Sequence, residues 1–157
     1  MRSRWMLAAE PLHVLPVRVY YEDTDAAGIV YYANYLKFAE RARTEMLRGA
    51  GLDHPQLWAD DGIGFVVRQC LIDYLSPARL DDRLLVRTWV EAVAGASLTM
   101  AQVVRRDGED ADLARLRLKL ACVDRDGRAA RLPPRVRAAF SDRETTGSDR
   151  KTMGSKA

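Results

Sequence analysis

Residues 20–51 read YYEDTDAAGIVYYANYLKFAERARTEMLRGAG, and this stretch decides the fold. An apolar strand pattern at Val17–Tyr21 runs into three carboxylates, Glu22, Asp23 and Asp25. Ala26-Ala27-Gly28 then breaks the strand, because glycine reaches backbone angles that other residues avoid. Asn34 is placed as an N-cap, its side-chain oxygen facing an orphan amide of a first helical turn. From there Tyr35, Ala39, Ala42 and Met46 recur with the spacing of one helical face. Ala39 and Ala42 are small enough to let that face lie close to a sheet. Lys37, Glu40, Arg41, Glu45 and Arg48 fall mostly on the opposite side, with Arg41–Glu45 and Glu40–Arg43 at pairing separation. Gly49 and Gly51 supply a C-terminal stop. The spacing predicts a helix over about 34–50.

The chemistry lies in the order carboxylate, turn, helix start. A helix N-terminus offers unpaired N–H groups and the positive end of the helix dipole. Such groups can hold an oxyanion as it develops. A carboxylate a few residues upstream can attack a carbonyl or activate water beside them. An acidic loop before a helix is also a common solvated turn, so this order alone leaves both readings open.

Outward from this stretch, the remaining chain reads as strands. Ile63–Leu75, Leu84–Val93, Ser97–Arg106 and Leu113–Asp124 are strand patterns, separated by turn signals at Ser76-Pro77, Gly95, Asp107-Gly108 and Asp126-Gly127. Leu116, Leu118, Leu120 and Cys122 alternate with Arg115, Arg117, Lys119 and Ala121, the period of a half-buried strand. Arg135–Phe140, after Pro133-Pro134, fits a helix turn or an edge strand. Short turns imply that successive strands are antiparallel neighbours, and Ser97–Arg106 is expected at an edge. The whole reads as α+β, one antiparallel sheet packed on one helix. Residues 1–11 form a leader, 12–140 one domain, and the polar 141–157 a disordered tail.

Composition narrows the function. A chain of 157 residues with 48% hydrophobic residues forms one ordinary globular domain. A formal charge of +3 without a basic stripe argues against nucleic acid. The apolar run Trp5–Ala9 is too short for a signal peptide, and nothing approaches a membrane span, which gives a cytoplasmic expectation. His13 and His54 stand apart from any cysteine or carboxylate cluster, so no metal is expected. His54, with Asp53 as cap and Pro55 opening a short helix, reads as a surface residue more than a base. Cys70 and Cys122 fall in strand patterns and read as inert. No G-x-S-x-G elbow, phosphate loop or dinucleotide glycine pattern is present.

The segment VRVYYEDTDAAGIVYYANYLKFAERARTEML resembles the signature of the hot-dog-fold acyl-CoA thioesterases. It is similar to the 4-hydroxybenzoyl-CoA thioesterase family, most of all its Tol-Pal-associated branch. The pattern D-x-D-x-x-G-x-V-x-x-x-x-Y is met by Asp23, Asp25, Gly28, Val30 and Tyr35. YYEDTD and ERARTEML carry the branch likeness, which extends through FVVRQCLIDYLSPARLDDRL to about Phe140. The resemblance implies a hot-dog fold, with the sheet wrapped around the helix, and hydrolysis of an acyl-CoA thioester without cofactor or metal. It implies Asp25 as nucleophile or general base and the Tyr32 backbone N–H as oxyanion donor, with Gly28, Asn34 and Arg68 toward the substrate. Arg105, Arg106 and Arg131 join Arg68 as candidates for the coenzyme A phosphates. It assigns Asp23 and Glu22 to loop structure and leaves Glu40 a minor alternative. It implies a homodimer with a continuous sheet, or a tetramer of two, and acyl-CoA or an acyl carrier protein as partner. Tyr32 stands where many branch members carry histidine, and Ala27 where glycine is common; both leave the choice between short aliphatic and aromatic acyl groups open. The other readings are a non-catalytic acyl-binding module, an envelope-complex partner, and a hydratase, for which neither histidine is well placed.

Overall fold

The alternation of apolar and polar residues along the strands forces one face of a sheet to be covered, and the helix covers it. The computed structural model describes Leu7 and residues 10–141; most of the expected leader and nearly all of the expected tail lie outside the described residues. The elements are β1 (His13–Arg18), α1 (Asn34–Gly49), α2 (His54–Asp60), β2 (Gly64–Tyr74), β3 (Arg83–Val93), β4 (Ser97–Arg106), β5 (Asp112–Val123) and α3 (Pro134–Ser141). A single 3₁₀ turn, Tyr21–Asp23, stands between β1 and α1. The five strands form one antiparallel sheet in the order β1-β3-β4-β5-β2. One helix on such a sheet is the hot-dog arrangement that the resemblance implies. Arg135–Phe140 resolves as helix, within α3.

The helix stripe forms as its spacing predicts. Tyr35, Phe38, Ala39, Ala42, Met46 and Leu47 are all buried. Tyr35, Ala39 and Ala42 share a core cluster with Leu116, Leu118, Val86 and Val104. Met46 and Leu47 join Leu98, Met100, Leu120 and Phe140 in a second. Ala39 and Ala42 let the helix axis come near the sheet, closest to β1 and β3. That contact also carries a polar tie. Fully buried Gln102 donates to the Ala39 carbonyl and to Thr88 Oγ1, both at 3.0 Å, and accepts from Arg43 Nη1 at 3.0 Å. A buried amide with its partners satisfied fixes register rather than merely filling space.

Several expectations need correcting. β4 is the central strand, not an edge; the edges are β1 and β2. β2 lies beside β5 rather than its successor β3, because the connection over 75–82 crosses to the other side of the sheet. The first strand ends at Arg18, and Tyr20–Asp23 turns instead of extending it. The expected helix ion pairs are replaced: Glu45 takes Arg48 at 2.5 Å, Glu40 accepts from the Thr44 hydroxyl, and Arg43 turns inward to Gln102. The outer face of the sheet is laced by Arg117, bidentate on Glu91 at 2.8 and 2.9 Å, and by Asp112 held between Arg105 and Arg115 at 2.6 Å each.

Ala42 is fully buried, so Ala42→Leu overpacks the helix–sheet contact. We expect a loss on the order of 1–3 kcal/mol, read as a lower midpoint in chemical denaturation. An unchanged midpoint means that α1 does not pack on the sheet as described.

Candidate active site

The loop between β1 and α1 is built on Asp23. Its carboxylate Oδ2 accepts from the Tyr20 N–H at 2.9 Å. Its carbonyl accepts twice, from the Tyr31 N–H at 2.9 Å and from Asn34 Nδ2 at 2.8 Å. Asp23 is buried, which fits the loop-building role expected of it. Between these anchors the chain makes a short hairpin. Thr24 bridges Val30, the Asp25 N–H donates to the Ile29 carbonyl at 2.9 Å, and the Gly28 N–H donates to the Asp25 carbonyl at 3.0 Å. Gly28 has φ +75°, and a Cβ there would meet nothing within 4 Å. The demand for glycine is therefore conformational, not steric. The hairpin is strapped to the loop after β2 by the Val30 N–H on the Ala78 carbonyl at 2.8 Å and by a bridge from Ile29 to Arg79.

Asp25 is exposed, and its Oδ1 accepts from the Ala27 N–H at 2.8 Å. This bond fixes the carboxylate on its own turn and leaves Oδ2 without a partner among the described residues. Tyr32 lies in the turn that opens α1. The carbonyl of Tyr31 accepts from the Asn34 N–H at 2.8 Å. The Tyr32 N–H belongs to the same planar trans peptide as that carbonyl, so it points the opposite way, out of the helix start. It has no acceptor among the described residues. Donation to Tyr31 O also polarises the peptide and strengthens its N–H as a donor. Beside it lies a largely apolar cleft of about 300 Å³, whose walls include Ile29, Val30, Tyr32, Tyr35, Tyr74 and Pro77. Asp25 reaches this wall only through its main-chain bonds to Ile29 and Gly28; its side chain stands outside the wall in a single chain.

Asp25, Gly28, Tyr32 and Asn34 thus share one loop, whereas Arg68 sits elsewhere, exposed, at the bulge between Val67 and Gln69 on β2. Asn34 does not cap α1. It is the first helical residue, 7% exposed, with its amide turned onto the Asp23 carbonyl; Ala33 holds the cap position with no side-chain bond. The competing attraction is an acceptor that needed a donor inside the protein. Arg105 and Arg106 are taken by Asp112 and by Asp82 and Glu109, while Arg131 is exposed. His54, capped by Asp53 as expected, lies within hydrogen-bond reach of the Thr44 hydroxyl at 3.3 Å and forms part of a second cavity of about 150 Å³ with Met46, Met100 and Phe140. Burial lowers the His13 pKa against the opposing pull of Glu45. Cys122 is buried and Cys70 is exposed on β2; partial burial of each thiol raises its pKa, against the pull of Arg43 at Cys70, which disfavours a thiolate nucleophile. Among the described residues no group of His, Cys, Asp and Glu could hold a metal ion, and no helix is long and apolar enough to cross a membrane.

Two hydrogen bonds at the cleft escaped the sequence reading. The Tyr35 phenol oxygen accepts from the Ala78 N–H at 3.0 Å, and the Tyr74 hydroxyl donates to the Tyr32 carbonyl at 2.9 Å. The only signal for Tyr74 was an aromatic residue at the end of a strand, before Ser76-Pro77.

Asn34→Ala removes one donor to the Asp23 carbonyl from inside the protein. We expect a cost on the order of 1–3 kcal/mol in thermal or denaturant unfolding. A variant as stable as the parent would return Asn34 to the status of a surface contact.

Comparison with known proteins identifies the family of the chain. The profile of the thioesterase-like superfamily matches residues 19–140. The chain is 45% identical over 126 residues to the acyl-CoA thioesterase YbgC of Haemophilus influenzae, covering 80% of this chain and 91% of that protein. It is 27% identical over 132 residues to the 1,4-dihydroxy-2-naphthoyl-CoA hydrolase of Thermosynechococcus vestitus, covering 84% and 85%. Among solved structures, the probable thioesterase of Bartonella henselae superimposes with a TM-score of 0.74 at 35% identity, over 77% of this chain and 98% of that one. With the match spanning both the loop and the sheet that supports it, the chain belongs to the thioesterase-like superfamily.

Proposed function

We propose that this protein hydrolyses acyl-CoA thioesters to the free acid and coenzyme A, with Asp25 and the Tyr32 N–H as the reacting pair. The observation that carries the assignment is the Tyr32 N–H, without an acceptor among the described residues, beside an apolar cleft and on the same loop as an exposed carboxylate. The thioester carbonyl oxygen accepts from Tyr32 N–H, and the donor strengthens as charge grows on that oxygen. Asp25 either adds to the carbonyl carbon or takes a proton from water that adds. Collapse of the tetrahedral species expels the coenzyme A thiolate, which is protonated on release. Where Asp25 adds, water then cleaves the mixed anhydride and restores the carboxylate. Gly28 lets the hairpin turn back so that Asp25 and the helix start meet one substrate. Arg68 has no partner among the described residues and remains the candidate for a coenzyme A phosphate, a role for which a guanidinium is suited. An acyl carrier protein as acyl donor and a cytoplasmic location belong to the same reading.

Asp25→Asn keeps the acceptor for Ala27 and removes the charge. Hydrolysis of a short acyl-CoA, followed by free thiol, should fall about 10²–10⁴-fold if the carboxylate acts as base, with binding of a non-hydrolysable analogue retained. Asp23→Asn should act mainly on stability, and Glu40→Gln should stay near the parent. Parental activity in Asp25→Asn overturns the assignment; thiol release from no acyl-CoA in a panel of chain lengths favours a binding module.

We further infer a homodimer joined through β2. Edge strands carry unpaired N–H and C=O groups that natural proteins cover or charge. β2 spans Gly64–Tyr74 and exposes Val66, Val67 and Leu71 at 42–49%. A second copy paired along this edge would continue the sheet, and two such dimers would make a tetramer. Light scattering should give at least a dimer mass at micromolar concentration, and Val67→Lys should shift it toward monomer; a monomeric parent refutes the inference.

A further inference from the structure

We propose that Tyr74 is a positioning residue for the oxyanion site, its hydroxyl holding in place the turn that presents the Tyr32 N–H. The inference rests on the role given to Tyr32 above. Tyr74 is the last residue of β2, 42 positions from Tyr32, so no local turn dictates their meeting. Its hydroxyl donates to the Tyr32 carbonyl at 2.9 Å. That carbonyl has no other donor among the described residues. In a regular helix start it would accept from Leu36, but the Leu36 N–H goes to the Ala33 carbonyl at 3.2 Å.

The two peptides that flank the Tyr32 Cα are therefore held from different sides. The peptide carrying the Tyr32 N–H is held by Asn34, through the Tyr31 carbonyl. Among the described residues, the next peptide is held only by Tyr74. Without that hydroxyl the second peptide is free to rotate, and the first follows it through the shared Cα.

Tyr74 is itself well placed for this work. Its ring stands edge-on to Tyr32, centroids 6.2 Å apart, and to Tyr35 at 5.6 Å. The Tyr35 phenol is tied in turn to the Ala78 N–H. Burial raises the Tyr74 pKa, with neighbouring groups adding to the shift, so the phenol keeps the proton it donates. A side chain that served only to wall the cleft would pack equally well without its hydroxyl.

Tyr74→Phe removes the hydroxyl and keeps the ring. Displacement of a reacting group by about 1 Å can cost about 10²-fold, so kcat should fall about 10- to 100-fold. KM should stay near the parent, because the donor matters most in the transition state. The loss should be the same for every acyl chain tested. Tyr74→Leu should add a KM change that depends on the acyl group. In ¹⁵N-labelled protein the Asn34 amide, whose bond to the Tyr31 carbonyl holds the peptide that carries the Tyr32 N–H, should exchange faster in Tyr74→Phe than in the parent, while core amides such as Leu116 do not change. Parental kcat in Tyr74→Phe, a change confined to KM, or an unchanged Asn34 amide overturns the proposal. If the parent hydrolyses no acyl-CoA, the catalytic reading fails; the amide exchange then decides separately whether Tyr74 holds the turn.

Discussion

One buried aspartate holds the end of β1, the hairpin and the start of α1 together. Asp23 spends its carboxylate on Tyr20 and its carbonyl on Tyr31 and Asn34. Three separate pieces of chain thus meet at a single residue. The amides it satisfies would otherwise be left unpaired where the chain turns inward, at a cost comparable to a lost hydrogen bond each. Only with Tyr31 and Asn34 fixed does the helix begin where it does, and only then is the Tyr32 N–H left over. The neighbouring Asp25 is free for other work because Asp23 does the holding.

The rest of the architecture keeps that loop still. Ala39 and Ala42 draw the helix onto the sheet, and Gln102 fastens it by donating from Nε2 to the Ala39 carbonyl of the helix. The cross-strand row Thr88, Gln102, Leu116, Ile72 then links the helix to both halves of the sheet. The loop after β2 grips the hairpin through Ala78 and Arg79. The site is consequently supported by the central sheet on one side and by an edge strand on the other.

Much of this was legible in the sequence. The helix was readable because its buried residues obey a period of 3.6 over four turns. β5 was readable because basic and leucine residues alternate from Arg115 to Leu120. Strand order was not, since pairing of β2 with β5 depends on contacts that no local pattern encodes. A clue was available in β4, where Ala101, Val103 and Val104 are buried on both faces. A strand apolar on both sides belongs inside a sheet, whereas GFVVRQCLIDY, with Arg68, Gln69 and Asp73, suits an edge. Asn34 misled because its residue type favours caps, while its actual partner lies 11 residues earlier, across the hairpin. The hairpin with Asp25 and Gly28 was visible; the help from Tyr74 was not, because it arrives from a distant strand.

The groups that shape the helix entrance are mostly main-chain atoms. Tyr31 contributes its N–H and C=O, Tyr32 its N–H and C=O, and Asp23 its carbonyl. The Tyr32 ring itself is 61% exposed and merely lines the cleft. Mutation at position 32 can therefore exchange the side chain, histidine for tyrosine included, while the donor is carried over unchanged. Under the proposed function, a change of side chain at this position retunes which acyl groups are welcome without rebuilding the apparatus that would turn them over.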